Sequence, residues 1–230
     1  MPPPIAMSTD PIRLSVPPPF ELWRVDLAQP ADDAGRALLD ANERARSARF
    51  HFERDRGRYV AAHVALRRLL AQRTARDAGS LAIEAGPYGK PYLADAPRCA
   101  FSLSHSDELA LVALADDGEI GVDLERVRPL SDLDGLARQC LTLHERHELD
   151  ALAPDDRALE FLRRWTRKEA CLKALGTGLH IEPSTFAVSG VDDEQEVCVS
   201  TISGPQRLRV IDVAVAPGWV AALAQLSTSH

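Results

Sequence analysis

Two kinds of hydrophobic spacing alternate along the chain. Apolar residues at helical intervals predict amphipathic helices, and alternating or short continuous apolar runs bounded by turn residues predict strands. On that basis residues 21–27 form a strand, 34–49 a helix and 54–72 a longer, arginine-rich helix. A Gly- and Pro-rich loop at 86–91 leads to strands at 99–103, 109–115 and 120–125, the last two joined by the turn signal Asp116-Asp117-Gly118. The second half follows the same order, with helical spacing over 132–152 and 156–175 and then strands at 186–189, 196–202, 207–215 and 219–226. The expected fold class is α+β, as two similar halves related by pseudo-two-fold symmetry, each with helices packed on a small antiparallel sheet. A faint internal repeat supports this. Arg58-Tyr59 followed by Leu66-Arg67-Arg68-Leu69 resembles Arg164-Trp165 followed by Leu172-Lys173-Ala174-Leu175, and residues 109–115 resemble 220–226. The expected division is a Pro-rich flexible leader at 1–19, an N-terminal half at 20–118 and a C-terminal half at 119–230. Duplicated halves commonly hold a ligand in the cleft between them.

Composition narrows the class. With 230 residues, 45% of them hydrophobic, the chain can bury a sizeable core. Its apolar runs are far shorter than the ~20 residues of a membrane span. The leader has seven prolines in twenty residues and no apolar stretch of the signal-peptide kind. Cys99, Cys140, Cys171 and Cys198 are widely spaced, which argues against a zinc or disulfide framework and fits a reducing, cytoplasmic setting.

The net charge of −7 conceals an asymmetry. Residues 36–76 carry eleven arginines against four acids, or +7, which leaves −14 for the rest. Such a segment is either a solvated helix face or a surface for phosphates or an acidic partner. Nucleic acid is disfavoured: aromatics placed for base stacking are lacking, and the chain as a whole is acidic.

Three segments carry candidate chemistry. In Gly121-Val122-Asp123-Leu124-Glu125, strand alternation puts Asp123 and Glu125 on one face and Val122 and Leu124 in the core. Two neighbouring carboxylates repel unless a cation such as Mg²⁺ sits between them; otherwise they are solvated acids at a strand end. In Trp165-Thr166-Arg167-Lys168-Glu169-Ala170-Cys171-Leu172-Lys173, helical spacing aligns Trp165, Glu169 and Lys173. That stripe is either a surface ion pair or a carboxylate and ammonium at the edge of a core. Phe101-Ser102-Leu103-Ser104-His105-Ser106 ends a strand in hydroxyl and imidazole donors that suit an anionic oxygen. No nucleophile elbow, P-loop, dinucleotide fingerprint or H-E-x-x-H is present.

Together these segments resemble the paired signatures of the 4′-phosphopantetheinyl transferases, a Gly-x-Asp-x-Glu strand and a Trp-[Ser/Thr]-x-Lys-Glu-Ala-x-x-Lys helix. Gly89-Lys90-Pro91-Tyr92 and Leu103-Ser104-His105-Ser106 resemble two further motifs, and Arg46 and Arg58 flank Phe50 where the family has basic residues. The resemblance runs from residue 39 to 179, and its layout is similar to the long, Sfp-type branch. It implies transfer of the 4′-phosphopantetheine of coenzyme A to a serine of an apo acyl or peptidyl carrier protein, with release of 3′,5′-ADP. It implies Mg²⁺ on Asp123, Glu125 and Glu169; catalysis by Glu169, Lys173 and Asp123; and coenzyme A contacts from Arg46, Arg58, Lys90, Ser104, His105 and Lys173. Glu169 is metal ligand, base or both. After Arg58, where the family often has a small polar residue, this chain has Tyr59. The resemblance also implies a monomer and a carrier-docking edge including Leu133, Leu136, Leu141 and Leu143. The alternatives are a coenzyme A- or nucleotide-binding adaptor without catalysis, and another Mg²⁺-dependent phosphotransferase or nuclease.

Overall fold

The computed structural model describes residues 10–116, 118–177 and 180–227. Residues 1–9, half of the expected leader, lie outside the described residues, as do Asp117 of the turn signal and position 179 at the end of the family resemblance.

Strands β1 (Ile12–Leu14) and β2 (Glu21–Asp26) are followed by helices α1 (Asp33–Ala37), α2 (Ala41–Ser47) and α3 (Glu53–Thr74). The short hairpin β3 (Ile83–Ala85) and β4 (Pro91–Leu93) comes next, then β5 (Ala100–Ser106) and β6 (Leu109–Ala115). The chain continues through β7 (Ile120–Arg126), α4 (Leu133–Cys140), α5 (Leu143–Asp150), α6 (Pro154–Leu175), β8 (Glu194–Thr201), β9 (Gly204–Asp212) and β10 (Trp219–Leu226). The antiparallel sheets run β1-β2-β6-β5 and β7-β10-β9-β8. In the first sheet β6 lies between β2 and β5, and in the second β10 lies between β7 and β9.

The sheets stack face to face, and each carries a long helix on its outer side. β6 is apolar throughout because both of its faces are covered. Ala110, Val112 and Leu114 meet Leu66, Leu69 and Leu70 of α3. Leu111, Ala113 and Ala115 meet Ile120, Val122, Leu124 and Leu223 of the opposite sheet. In the second half, Ala170, Cys171 and Ala174 of α6 pack on Leu208, Val210, Ala222 and Ala224. Since Val122 and Leu124 face the other sheet, alternation turns Gly121, Asp123 and Glu125 toward α6.

Four expectations need correction. The helix expected over 34–49 is two helices, because Asp40 caps α2 and forms a capping box with Glu43. Likewise the helix expected over 132–152 breaks at Leu141, where Thr142 and Glu145 form the capping box of α5. Residues 186–189 are not a strand, because side chains take the backbone partners of a ladder. Phe186 O accepts from Lys168 Nζ at 2.5 Å, Val188 N–H donates to Glu145 Oε1 at 2.8 Å, and Ser189 O accepts from Arg167. Finally, residues 12–14 of the expected leader join the sheet, with Arg13 opposite Trp23.

Candidate active site

Along one side of the stacked sheets the edge strands β5 and β7 run next to each other, and serine hydroxyls join them. Every second residue of β5 takes part. Ser102 Oγ accepts from Val122 N–H at 3.0 Å. Ser104 Oγ donates to Asp123 Oδ1 at 2.9 Å. Ser106 Oγ donates to Glu125 Oε2 at 3.0 Å and accepts from Arg126 N–H at 3.3 Å. The strand that carries His105 is thereby coupled to the strand that carries the carboxylates.

Above this seam lies α6. Its Lys173 Nζ donates to Asp123 Oδ1 at 2.6 Å, to Ser104 Oγ at 3.0 Å and to Val122 O at 3.2 Å. Asp123 is buried, and its second oxygen, Oδ2, is buried with no hydrogen-bond partner. A buried carboxylate oxygen without a donor is costly, and a cation is the group it lacks. Burial pushes the carboxyl of Glu125 above 4.5, and the charge of Asp123 adds to the shift. Glu169 is raised as well, by burial first and then by Asp123 and Glu125, against Lys173. Asp123 thus acts on both glutamates, and Glu125 acts on Glu169. Among the described residues, no three His, Cys, Asp or Glu side chains form a ready-made metal cage. Mg²⁺ does not need one: it keeps several waters and takes one or two carboxylates plus substrate phosphates. The donor set fits that ion.

Lys173 and Ser104 also line a cleft of about 730 Å³ that runs from the C-terminal end of α6 to α2 and α3. The volume is in the usual range for small-molecule sites, roughly 300–1,000 Å³. Lys90, Ser104, His105 and Arg46, the residues that the family resemblance implies as coenzyme A contacts, line it. The ammonium of Lys90 is held by Glu119 and by the Ala174 carbonyl at 2.8 Å, and burial lowers its pKa. Loss of water lowers the pKa of His105 below 6.5, and the nearby charges of His63, Lys173, Arg46 and Arg58 lower it further. Arg58 does not line the cleft: it pairs with Asp107 at 3.3 Å and Glu108 at 3.8 Å at the β5–β6 turn. Lys168, beside Glu169 in the signature, is fully buried away from the cleft. It bonds Glu145 and the Pro183 carbonyl, both at 2.8 Å.

Comparison with known proteins gives the family. Residues 119–224 match the model of the 4′-phosphopantetheinyl transferase superfamily, and residues 31–117 that of the 4′-phosphopantetheinyl transferase N-terminal region. The chain is 38% identical over 163 residues to the 4′-phosphopantetheinyl transferase HetI of Nostoc sp., covering 69% of each protein. The chain belongs to the 4′-phosphopantetheinyl transferase superfamily. It is 35% identical to a putative 4′-phosphopantetheinyl transferase of Synechocystis sp., over 70% of this chain and 67% of that protein. To the 4′-phosphopantetheinyl transferase of Bacillus subtilis it is 29% identical, over 70% of this chain and 71% of that one. The enzyme class is thus that of the 4′-phosphopantetheinyl transferases. Among the described residues, no helix is long and apolar enough to cross a membrane.

For this transferase, sequence reasoning gave no role to three residues. His63, inside the arginine-rich helix, lines the cleft. Glu43 braces it, with Oε1 at 2.9 Å from His63 Nδ1. The signal for Glu43 was there, as the third residue of an Asp40 capping box. Gly121 lets α6 approach β7: a Cβ there would overlap Ala170 O and Ala174 N and stand 2.9 Å from the Lys173 carbonyl carbon. Of the leucines expected at the docking edge, Leu141 is buried and Leu133 packs on the same cluster, whereas Leu136 and Leu143 are exposed.

Proposed function

We propose that this enzyme transfers the 4′-phosphopantetheine group of coenzyme A to a serine of an apo acyl or peptidyl carrier protein, in a Mg²⁺-dependent reaction that releases 3′,5′-ADP. The observation that carries the reading is Asp123, with one oxygen bound to Lys173 and Ser104 and the other buried and unpartnered, next to a cleft of nucleotide size.

In this reading the serine oxygen attacks the β-phosphorus of coenzyme A. A new oxygen–phosphorus bond forms, and the bond to the oxygen bridging the two phosphates breaks. That oxygen leaves with 3′,5′-ADP. Glu169 takes the serine proton, directly or through water. Lys173 donates to the pyrophosphate from the Asp123 side. Lys90, Ser104 and His105 hold phosphate oxygens, and Arg46 extends the positive wall. Asp123 and Glu169, with Glu125 beside them, would hold Mg²⁺, which would supply charge neutralisation on the pyrophosphate oxygens. The carrier docks beside α4 and α5, where Leu136 and Leu143 are exposed. A reducing cytosol fits the four unpaired cysteines.

The test is Glu169→Gln and Asp123→Ala, assayed by the mass of an apo carrier after incubation with coenzyme A and Mg²⁺. Both variants are expected to lose transfer while keeping the circular dichroism of the parent. Full activity in either contradicts the assignment.

A further inference from the structure

The proposed chemistry gives His63 no part, although its ring lines the cleft one turn beyond Tyr59. The two ring centroids are 4.1 Å apart, and the guanidinium of Arg46 lies 6.0 Å from the Tyr59 ring. His105, from β5, feels the charges of both His63 and Arg46. Donors from α2, α3 and β5 therefore converge on one end of the cleft. The carboxylate at this end, Glu43, is already engaged. Its Oε2 accepts from Arg67 Nε at 2.6 Å and from Asp40 N–H at 3.0 Å, and its Oε1 faces His63 Nδ1. Asp40 is tied to Arg67 as well, at 2.8 Å.

We propose that His63 is a specificity-determining residue of the donor site: oriented by Glu43, it binds the 3′-phosphate of coenzyme A together with Arg46. The inference rests on coenzyme A being the donor. Coenzyme A carries phosphate in two places. Transfer requires the pyrophosphate to lie by Lys173 and Asp123, at the α6 end. The phosphate left for the α2–α3 end is the one on the ribose. An imidazole whose Nδ1 hydrogen goes to a carboxylate has only a lone pair at Nε2 when neutral; the imidazolium donates at both nitrogens. The charged groups facing His63 are Glu43 and Arg46 from α2, Arg67 from α3 and His105 from β5. The Tyr59 phenol, pushed up to about 12 by burial, stays neutral.

The experiment is calorimetric binding of 3′,5′-ADP and of AMP, which lacks the 3′-phosphate, to the parent and to the His63→Ala and His63→Gln variants. The parent is expected to prefer 3′,5′-ADP to AMP. His63→Ala is expected to weaken 3′,5′-ADP about tenfold or more, as loss of a charge-assisted hydrogen bond does, and to leave AMP within a factor of two or so. His63→Gln keeps a neutral donor and is expected to retain a smaller preference for 3′,5′-ADP. Equal weakening of both nucleotides, or no change in the variants, overturns the proposal. So does a parent that transfers from coenzyme A yet binds the two nucleotides alike; that result leaves the proposed function standing. A parent that binds neither nucleotide and modifies no carrier removes both.

Discussion

Replacing Gly121 by Ala tests how the metal strand and the signature helix are held together. Strand β7 runs directly against the backbone of α6, and the contact atoms are Ala170 O, Ala174 N and the Lys173 carbonyl carbon. None is the tip of a flexible side chain, so a methyl group can be accommodated only by moving α6 or β7 as a unit. The nearest of these atoms must recede on the order of 1 Å to restore an ordinary contact of about 3.5 Å. That shift opens the 2.6 Å bond between Lys173 and Asp123 and displaces Glu169, the residue before Ala170. Overpacking of this kind costs about 1–3 kcal/mol. Alanine offsets about 0.4–1 kcal/mol by restricting the unfolded chain. A misplacement of about 1 Å at a reacting centre lowers the rate roughly a hundredfold. Urea denaturation is therefore expected to give a net loss of about 1–2 kcal/mol, and kcat/KM for carrier modification to fall by about two orders of magnitude. A variant with the stability and rate of the parent would refute the claim that this close approach sets the site geometry.

Gly57 is the converse case. A Cβ there, within α3, meets nothing within 4 Å, so Gly57→Ala is expected to raise stability by about 0.5–1 kcal/mol in the same denaturation assay. Lys168→Met strands the buried Glu145 carboxylate and is expected to cost about 3–5 kcal/mol, part of it recovered in the double variant with Glu145→Leu. A loss below about 1 kcal/mol would mean that the pair does not hold α5, α6 and residues 183–188 together. Burial raises the pKa of the Glu43 carboxyl, but bonds from His63, Asp40 N–H and Arg67 more than offset this and hold it below 4.5. A depressed carboxylate stabilises the fold above its unfolded pKa of about 4.3, and the contribution is lost as pH falls through the lower folded value. The stability difference between the parent and Glu43→Gln is therefore expected to shrink on acidification below about pH 4.5 in urea titrations, and a pH-independent difference would count against the assignment.

The layers of the fold were legible because burial writes itself into periodicity. The run Leu109–Ala115 is apolar at every step since α3 covers one face and the second sheet the other. The alternation in Val122-Asp123-Leu124-Glu125 separated the core residues Val122 and Leu124 from Asp123, which bonds Lys173 of α6. Both helix breaks had local signals, the capping boxes at Asp40 and Thr142, that hydrophobic spacing overran. Residues 186–189 looked like a strand because Phe186 and Val188 are buried. Their backbone partners, Lys168 and Glu145, sit far away in sequence, and local pattern does not encode them. Arg58 illustrates the same limit: its position in α3 was readable, but its pairing with Asp107 and Glu108 was not. His63 and Gly121 matter through what approaches them in three dimensions.

The central claim is that Asp123, Glu169 and Lys173 form the transfer site of a coenzyme A-dependent enzyme. The most direct measurement follows carrier mass and released nucleotide in one reaction of the parent protein with coenzyme A, Mg²⁺ and an apo carrier. The account predicts that the carrier gains one phosphopantetheine, that an equal amount of 3′,5′-ADP appears, and that both stop when Mg²⁺ is chelated. Transfer that continues undiminished in chelator, or release of 3′,5′-ADP with no gain in carrier mass, would contradict it.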